Sequence, residues 1–246
     1  MRQHEAVIQT IERLGGMATL GQLYRETLKI KDCEWTTKTP FASIRRIVQT
    51  RPQEIYKIKP GLYGLVSHRA ANEAKGILAE TPQNKNSPEV QESNHYYYQG
   101  LLLTLGKIRN FQTFAPNQDK NRRFLDKTLG EVRTLAEIPP FSYPKFVQRS
   151  STIDVIWFNQ RGMPNSLFEV ESTADIKNSL GKYSDLQDFY TRMLIVADKA
   201  RKEEFKSIID GTSFETIKKR VQFLDYDSLV KQYEFAMESE SFETIV

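Results

Sequence analysis

The sequence has little of what disulfide frameworks and metal clusters require. Its single cysteine, Cys33, excludes an internal disulfide and any cysteine-based zinc cluster. Histidine is almost as scarce, and the scattered positions of His4, His68 and His95 argue against a histidine-rich metal cage. The apolar runs are far shorter than the roughly 20 residues of a membrane helix, and no apolar signal region follows the N-terminus. We therefore expect a soluble protein in the reducing cytoplasm.

Several common catalytic motifs are also missing, namely a Gly-x-Ser-x-Gly nucleophile, a phosphate loop and a dinucleotide-binding glycine fingerprint. The sequence has a net charge of +4, and its positive charge is concentrated in two segments. Residues 38–59 hold six basic residues and one acidic residue, and residues 106–149 hold nine basic and four acidic residues. Such local excesses favour a polyanionic partner.

The first 67 residues predict a winged helix. Apolar residues recur at helical spacing in three stretches, and two short apolar strands then flank Lys59-Pro60-Gly61, which has the composition of a turn. A polar stretch without periodicity, residues 68–92, indicates a linker. The helices are expected at residues 6–14, at about 19–28 and from about 39 onward, and the strands at 55–58 and 62–65.

Residues 93–246 predict a second domain in which helices and strands alternate. A helix begins near Ser93 and ends at Gly106. The order of the elements after it indicates an α/β sandwich with a mixed sheet, so the fold class of the whole chain is α+β. Strands are expected at 111–115, 153–158, 166–171, 193–197 and 221–224, and helices at about 174–190, 201–209 and 226–237.

Three carboxylates fall on two of these strands. Asp154 lies near the start of one strand, and Glu169 and Glu171 lie on the next, where alternation directs both to one face. The loop between the strands is short enough for them to pair, which would bring Asp154 close. Carboxylates crowded in an apolar sheet repel one another unless a cation neutralises them, and oxygen ligands suit Mg²⁺. The alternative is that both glutamates line the solvated face of an edge strand.

The pattern Asp154, fourteen residues, then Glu169-Val170-Glu171 resembles the acidic motif of the PD-(D/E)XK nuclease superfamily. The resemblance implies that Asp154 and Glu169 bind Mg²⁺ with the help of the Val170 carbonyl, and that Asp154, Glu169 and Glu171 are catalytic. Glu171 stands where the family usually has lysine, and Ile153 stands where it has proline. The identity of the water-activating group is therefore left open.

Four further residues bear on this resemblance, which covers roughly residues 93–230. Lys177 or Lys182, on the next helix, would supply a migrated cation, and a solvated lysine is the alternative for each. His95 and Gln99 lie where the family often has an accessory acidic residue. A surface or packing role is the alternative for both.

The N-terminal segment is similar to the HARE-HTH winged-helix module, through TPFASIRR at residues 39–46 and IKPGLYGL at residues 58–65. A winged helix reads duplex DNA by placing one helix in the major groove while cationic side chains contact phosphates. The predicted DNA contacts are Arg45, Arg46, Lys57 and Lys59. The alternative is a solvated helix face.

Together the two resemblances imply a Mg²⁺-dependent DNA endonuclease of type II restriction character. With one nuclease core per chain, cutting both strands of duplex DNA predicts a homodimer, and sensitivity to base modification is left open. The first alternative is a non-enzymatic DNA-binding regulator whose sheet domain senses a ligand or dimerises. A test of metal binding distinguishes this regulator from the endonuclease. The second alternative is an RNA-directed or structural protein. A test of substrate preference distinguishes this protein from the endonuclease.

Overall fold

A computed structural model of the protein describes residues 1–172 and 175–243, with the backbone alone at 241–243. The chain divides into two compact units. The first comprises residues 1–93 and the chain from Val230 on, and the second comprises residues 94–229. The division predicted from the sequence, 1–67, 68–92 and 93–246, differs in grouping the C-terminal segment with the second domain, and it stays a prediction.

The first unit is built from short helices and a small antiparallel sheet of strand order β1-β3-β2. Its second helix begins at a capping box in which Thr19 and Gln22 bond each other's main-chain N–H groups, and its third has Pro40 in the first turn. Their apolar faces enclose Ile11, Leu23 and Ile44. The elements are α1 (Gln3–Arg13), β1 (Met17–Thr19), α2 (Leu20–Thr27), α3 (Pro40–Thr50), β2 (Ile55–Lys59), β3 (Leu62–Leu65) and α4 (Arg69–Ala74).

The predicted linker contains more structure than its polar composition indicates. α4 lies within it, held by an ion pair of 2.9 Å between Arg69 and Glu73. Asn72 of this helix is buried, and its amide donates to the carbonyl of Gly16 at 3.3 Å. A six-residue helix of this kind depends on such tertiary contacts, because it is too short to be stable alone.

The second unit is built on a five-stranded mixed sheet of order β10-β9-β8-β7-β4. β4, β7 and β8 pair antiparallel, whereas β8, β9 and β10 pair parallel, so the predicted mixed sheet is confirmed. Two helices are shared between the units, since α5 begins before residue 94 and α10 continues beyond residue 229. The elements from residue 88 on are α5 (Pro88–Ile108), β4 (Gln112–Phe114), β5 (Arg123–Phe124), β6 (Lys127–Thr128), α6 (Leu129–Val132), α7 (Pro144–Ser150), β7 (Val155–Phe158), β8 (Pro164–Glu171), α8 (Ile176–Asp185), β9 (Arg192–Ala197), α9 (Lys202–Ile209), β10 (Val221–Asp225) and α10 (Tyr226–Glu243).

One face of this sheet carries a large hydrophobic cluster. Ile156, Leu167 and Ile195 of the sheet are packed in one cluster with Leu180 of α8 and Phe205 of α9. The helix predicted at about 174–190 ends earlier, at residue 185, and residue 174 lies outside the described residues. None of the helices in the described part of the chain has the length and apolarity needed to cross a membrane.

Candidate metal centre

Antiparallel pairing of β7 with β8 brings two of the predicted carboxylates together. The register of the two strands places Asp154, one residue before β7, beside Glu169. The main-chain N–H of Val170 donates to Asp154 Oδ2 at 2.7 Å, which holds this carboxylate against β8. Period-two alternation then puts Glu171 on the same face of the strand as Glu169. The hairpin thus concentrates negative charge at one end of β8.

Glu169 is a buried carboxylate with one cation beside it. It is 2% exposed, and its Oε2 accepts from Lys182 Nζ at 2.8 Å and from Ser179 Oγ at 3.0 Å. Its Oε1 has no hydrogen-bond partner among the described residues. Burial and the charge of Asp154 raise the pKa of Glu169 well above its ordinary value, against the opposing effect of Lys182. A divalent cation would satisfy the unpartnered oxygen.

Glu171 shares the hydroxyl of Ser179 with Glu169. Its Oε1 contacts Ser179 Oγ, and its Oε2 lies 3.9 Å from Arg201. A hydroxyl has one proton to donate, so contact with two carboxylates requires a proton on one of them. In keeping with this, burial raises the pKa of Glu171. Both glutamates are buried on a central strand, which excludes the alternative of a solvated edge strand.

A second group of ligand atoms adjoins Asp154 and was not predicted as a group. His95, Asp119 and Asp154 each offer one atom, and these atoms lie within 4.8 Å of one another. Gln99 joins them, since its Nε2 donates to the Asp154 carbonyl at 2.7 Å and to Asp119 Oδ2 at 3.2 Å. Among the described residues the group does not include Glu169.

Asp119 belongs to this group and is absent from the predicted site residues. It is 7% exposed, and burial raises the pKa of its carboxyl group, while the bond from Gln99 opposes the rise. The available signal was weak, namely an acidic residue in the loop that follows a predicted buried strand. His95 and Gln99 were singled out, and both lie on α5 with their polar groups directed to Asp154 or to the strand beside it.

The donor set fits a divalent cation. The predicted Mg²⁺ ligands offer carboxylate oxygens at Asp154 and Glu169, and the third of them, the Val170 carbonyl, lies 2.9 Å from His95 Nδ1. Carboxylate, carbonyl and water oxygens are the ligands that Mg²⁺ prefers. Of the two lysines considered, Lys182 reaches the carboxylates, whereas Lys177 is exposed.

The predicted DNA contacts on the first unit differ in solvent exposure and in whether their side chains are already bonded within the protein. Arg46 and Lys57 are exposed. Arg45 is engaged: its guanidinium donates to the hydroxyl of Tyr24 at 2.9 and 3.1 Å and forms an ion pair of 2.9 Å with Glu234 of α10. Burial raises the pKa of Tyr24 to about 12, so its hydroxyl stays neutral and accepts from the arginine.

Lys59 is predicted to contact DNA but lies in the interior. It is 2% exposed, and its Nζ donates to Ser93 Oγ at 2.8 Å. The pairing of β2 with β3 shifts register between Lys57 and Lys59, which reverses the alternation and turns Lys59 inward. Burial lowers the pKa of Lys59 to about 7. A lysine so enclosed is not placed to contact a phosphate.

Comparison with known families identifies most of the chain. Residues 77–245 match the family model described as the type II restriction enzyme NmeDI C-terminal domain. That range holds every carboxylate of the candidate metal centre and excludes α1 to α4. No match to a curated protein and none to a solved structure was found.

Proposed function

The chain belongs to the type II restriction enzyme NmeDI C-terminal domain family, and on that premise we propose that it is a Mg²⁺-dependent endonuclease acting on duplex DNA. The observation that carries the proposal is the buried Glu169 beside Asp154, with one carboxylate oxygen unpartnered among the described residues. Like charges so close in an apolar sheet are costly, and the cost is offset when a cation binds. A PD-(D/E)XK-type core is the arrangement that uses such a pair.

Each residue of the centre has a separate part in the proposed reaction. Asp154 and Glu169 would hold a Mg²⁺ ion with the Val170 carbonyl, and Lys182 keeps the Glu169 carboxylate oriented. When bound, the ion supplies positive charge that offsets the charge developing on the phosphate oxygens. The charge of a bound cation favours the ionised form of Glu171, which would then take the proton of the attacking water. The water oxygen would bond to phosphorus, the bond to the 3′ oxygen would break, and that oxygen would take a proton from solvent, so the products are a 5′-phosphate and a 3′-hydroxyl.

The first unit would supply DNA binding as a winged helix. Three helices packed on the sheet β1-β3-β2 support this part of the proposal. The exposed Arg46 on α3 and Lys57 on β2 are the groups placed to meet DNA, and Arg45 joins them when it leaves Glu234. Lys59 is not retained as a contact. A homodimer would supply one centre for each strand of the duplex.

Cleavage of DNA tests the proposal directly. The full chain is incubated with plasmid and phage DNAs that differ in base modification, with and without Mg²⁺, and the ends are mapped. We expect Mg²⁺-dependent cuts with 5′-phosphate ends. Asp154→Asn and Glu169→Gln should each lower the cleavage rate by about 10³-fold, since each removes several kcal/mol of transition-state stabilisation.

The matched control is Asp126→Asn, which changes an exposed aspartate of the same unit and should cut normally. Circular dichroism and DNA affinity of all three variants should equal those of the unchanged protein, because binding rests on the basic surfaces. Binding without any cutting, under every metal and DNA tried, would instead favour the non-enzymatic regulator.

A further inference from the structure

We propose that His95, Asp119 and Asp154 form a second cation site, with one nitrogen and two oxygen ligands, that takes a transition-metal dication of the Mn²⁺ class. The site shares Asp154 with the proposed Mg²⁺ ligands. Binding of a cation at this site does not depend on DNA cleavage, so the site can be tested independently of the proposed function. Four observations carry it, and they concern His95, Asp154, Asp119 and Gln99.

The tautomer of His95 is determined by the main chain. Its Nδ1 lies 2.9 Å from the carbonyl oxygen of Val170, and a carbonyl can only accept, so Nδ1 carries the proton. In the neutral ring Nε2 then has a free lone pair. Histidines that bind metals commonly donate the other ring N–H to a carbonyl or carboxylate, which fixes the ring and raises its basicity. His95 therefore has the orientation of a metal ligand.

The free nitrogen of His95 faces an oxygen of Asp154. Nε2 lies 3.8 Å from Asp154 Oδ1, while the other carboxylate oxygen accepts from the Val170 N–H. Two lone pairs directed at each other repel unless a proton or a cation lies between them. Two ligands bound about 2.1 Å from one ion are roughly 3 to 3.5 Å apart. The observed gap is within a few tenths of an ångström of that span.

Asp119 completes the group from a third segment of the chain. It is 7% exposed, and Gln99 Nε2 holds its Oδ2 at 3.2 Å. A ligating carboxylate is typically hydrogen-bonded in this way by a neighbour that does not bind the metal itself. A helix, a loop and a strand end thus each contribute one ligand.

Gln99 gives evidence for a ligand that is independent of the charges. It is 0% exposed, and its Oε1 has no hydrogen-bond partner among the described residues. Exchanging the amide nitrogen and oxygen would set Oε1 against the Asp119 carboxylate and the Asp154 carbonyl, so the orientation is determined. A buried amide oxygen beside two acidic residues requires a donor, and a water bound to a cation supplies one.

The ligand types select the cation. Mg²⁺ and Ca²⁺ prefer oxygen ligands throughout, whereas imidazole nitrogen favours transition-metal dications. Two carboxylates with one imidazole suit Mn²⁺, with water at the remaining positions. Zn²⁺ would bind the same ligands in a tetrahedral arrangement. The chemistry of the site therefore differs from that of the oxygen-only set proposed for Mg²⁺.

Electron paramagnetic resonance of Mn²⁺ added to the metal-free full chain tests the site. We expect electron spin echo envelope modulation from a histidine nitrogen bound to Mn²⁺. A histidine that does not bind the metal would not produce this modulation. His95→Ala should remove that signal and weaken Mn²⁺ binding at least about 10-fold. His4→Ala, which changes a histidine of the first unit, should leave both unchanged, and Glu169→Gln should keep the nitrogen signal.

Asp119→Asn provides a second variant that keeps the size of the side chain, and it should also weaken Mn²⁺ binding. A nitrogen signal that persists in His95→Ala, or its absence from the unchanged protein, would overturn the assignment. Mg²⁺-dependent cleavage without a nitrogen signal would reject this site and leave the endonuclease standing. A nitrogen signal without any cleavage would support this site and reject the proposed endonuclease.

Discussion

Glu169 of the second unit and Arg45 of the first meet their opposite charges in different ways. In the second unit, Glu169 is withdrawn from solvent beside another carboxylate, and a single lysine only partly balances the charge. In the first unit, Arg45 keeps half of its side chain exposed and pairs with one glutamate. A buried excess of one sign demands a counter-ion, whereas a half-exposed pair gains little from its partner. The first arrangement suits a cation site, and the second suits a contact that exchanges partners.

The largest effect is expected where charge is buried. Lys182→Met removes the only cation within 4.0 Å of Glu169 among the described residues and should lower the free energy of unfolding by about 3 kcal/mol. Urea denaturation without divalent metal measures it. Lys177→Met is the matched control, because Lys177 lies exposed on the same helix and should cost less than about 0.5 kcal/mol. Equal losses in the two variants would contradict a buried, undercompensated carboxylate.

The fold could be predicted well where the signal was local. The strands expected at 153–158 and 166–171 are observed as β7 and β8 within two residues at each end, because both are buried apolar runs bounded by turn residues. The stretch between β4 and β7 was not predicted. Its strands β5 and β6 have two residues each and α6 has four, too few to create a periodic pattern.

The candidate site could be predicted only along the hairpin. Alternation and a short loop suffice to bring Asp154 and Glu169 together, since pairing determines their position. Asp119 comes from a separate loop, and its position depends on a hydrogen bond from Gln99 on α5. For Lys59 the prediction from alternation is wrong. Alternation alone directs this side chain outward with Lys57, and the irregularity in β2 turns it inward. Such bulges are set by tertiary packing.

A smaller effect is expected from the buried lysine of the first unit. The pKa of Lys59 falls from 10.5 to about 7 through burial. Between pH 7 and pH 10.5 the unfolded chain binds a proton that the folded chain has released, so this group makes stability rise with pH across that window. Lys59→Met should remove the rise and stabilise the protein at pH 7 by about 1 to 4 kcal/mol.

Denaturation in urea at pH 6.5, 8 and 9.5 measures the effect of this lysine. Lys57→Met, on the exposed side of the same strand, is the control and should keep the pH dependence of the unchanged protein. Parallel stability curves for Lys59→Met and the unchanged protein would show that the lysine is hydrated in the folded chain.

The smallest effect is expected at the ion pair of the first unit, where the buried Glu234 holds the half-exposed Arg45. Glu234→Gln should release the guanidinium and raise affinity for duplex DNA about 2- to 5-fold, the range of an exposed ion pair. Fluorescence anisotropy in EDTA measures binding without cutting. Glu238→Gln, one turn further along α10, removes the same charge, so an equal gain there would indicate net charge alone. Adding Arg45→Ala should cancel the gain from Glu234→Gln if the released arginine is the proposed contact with DNA.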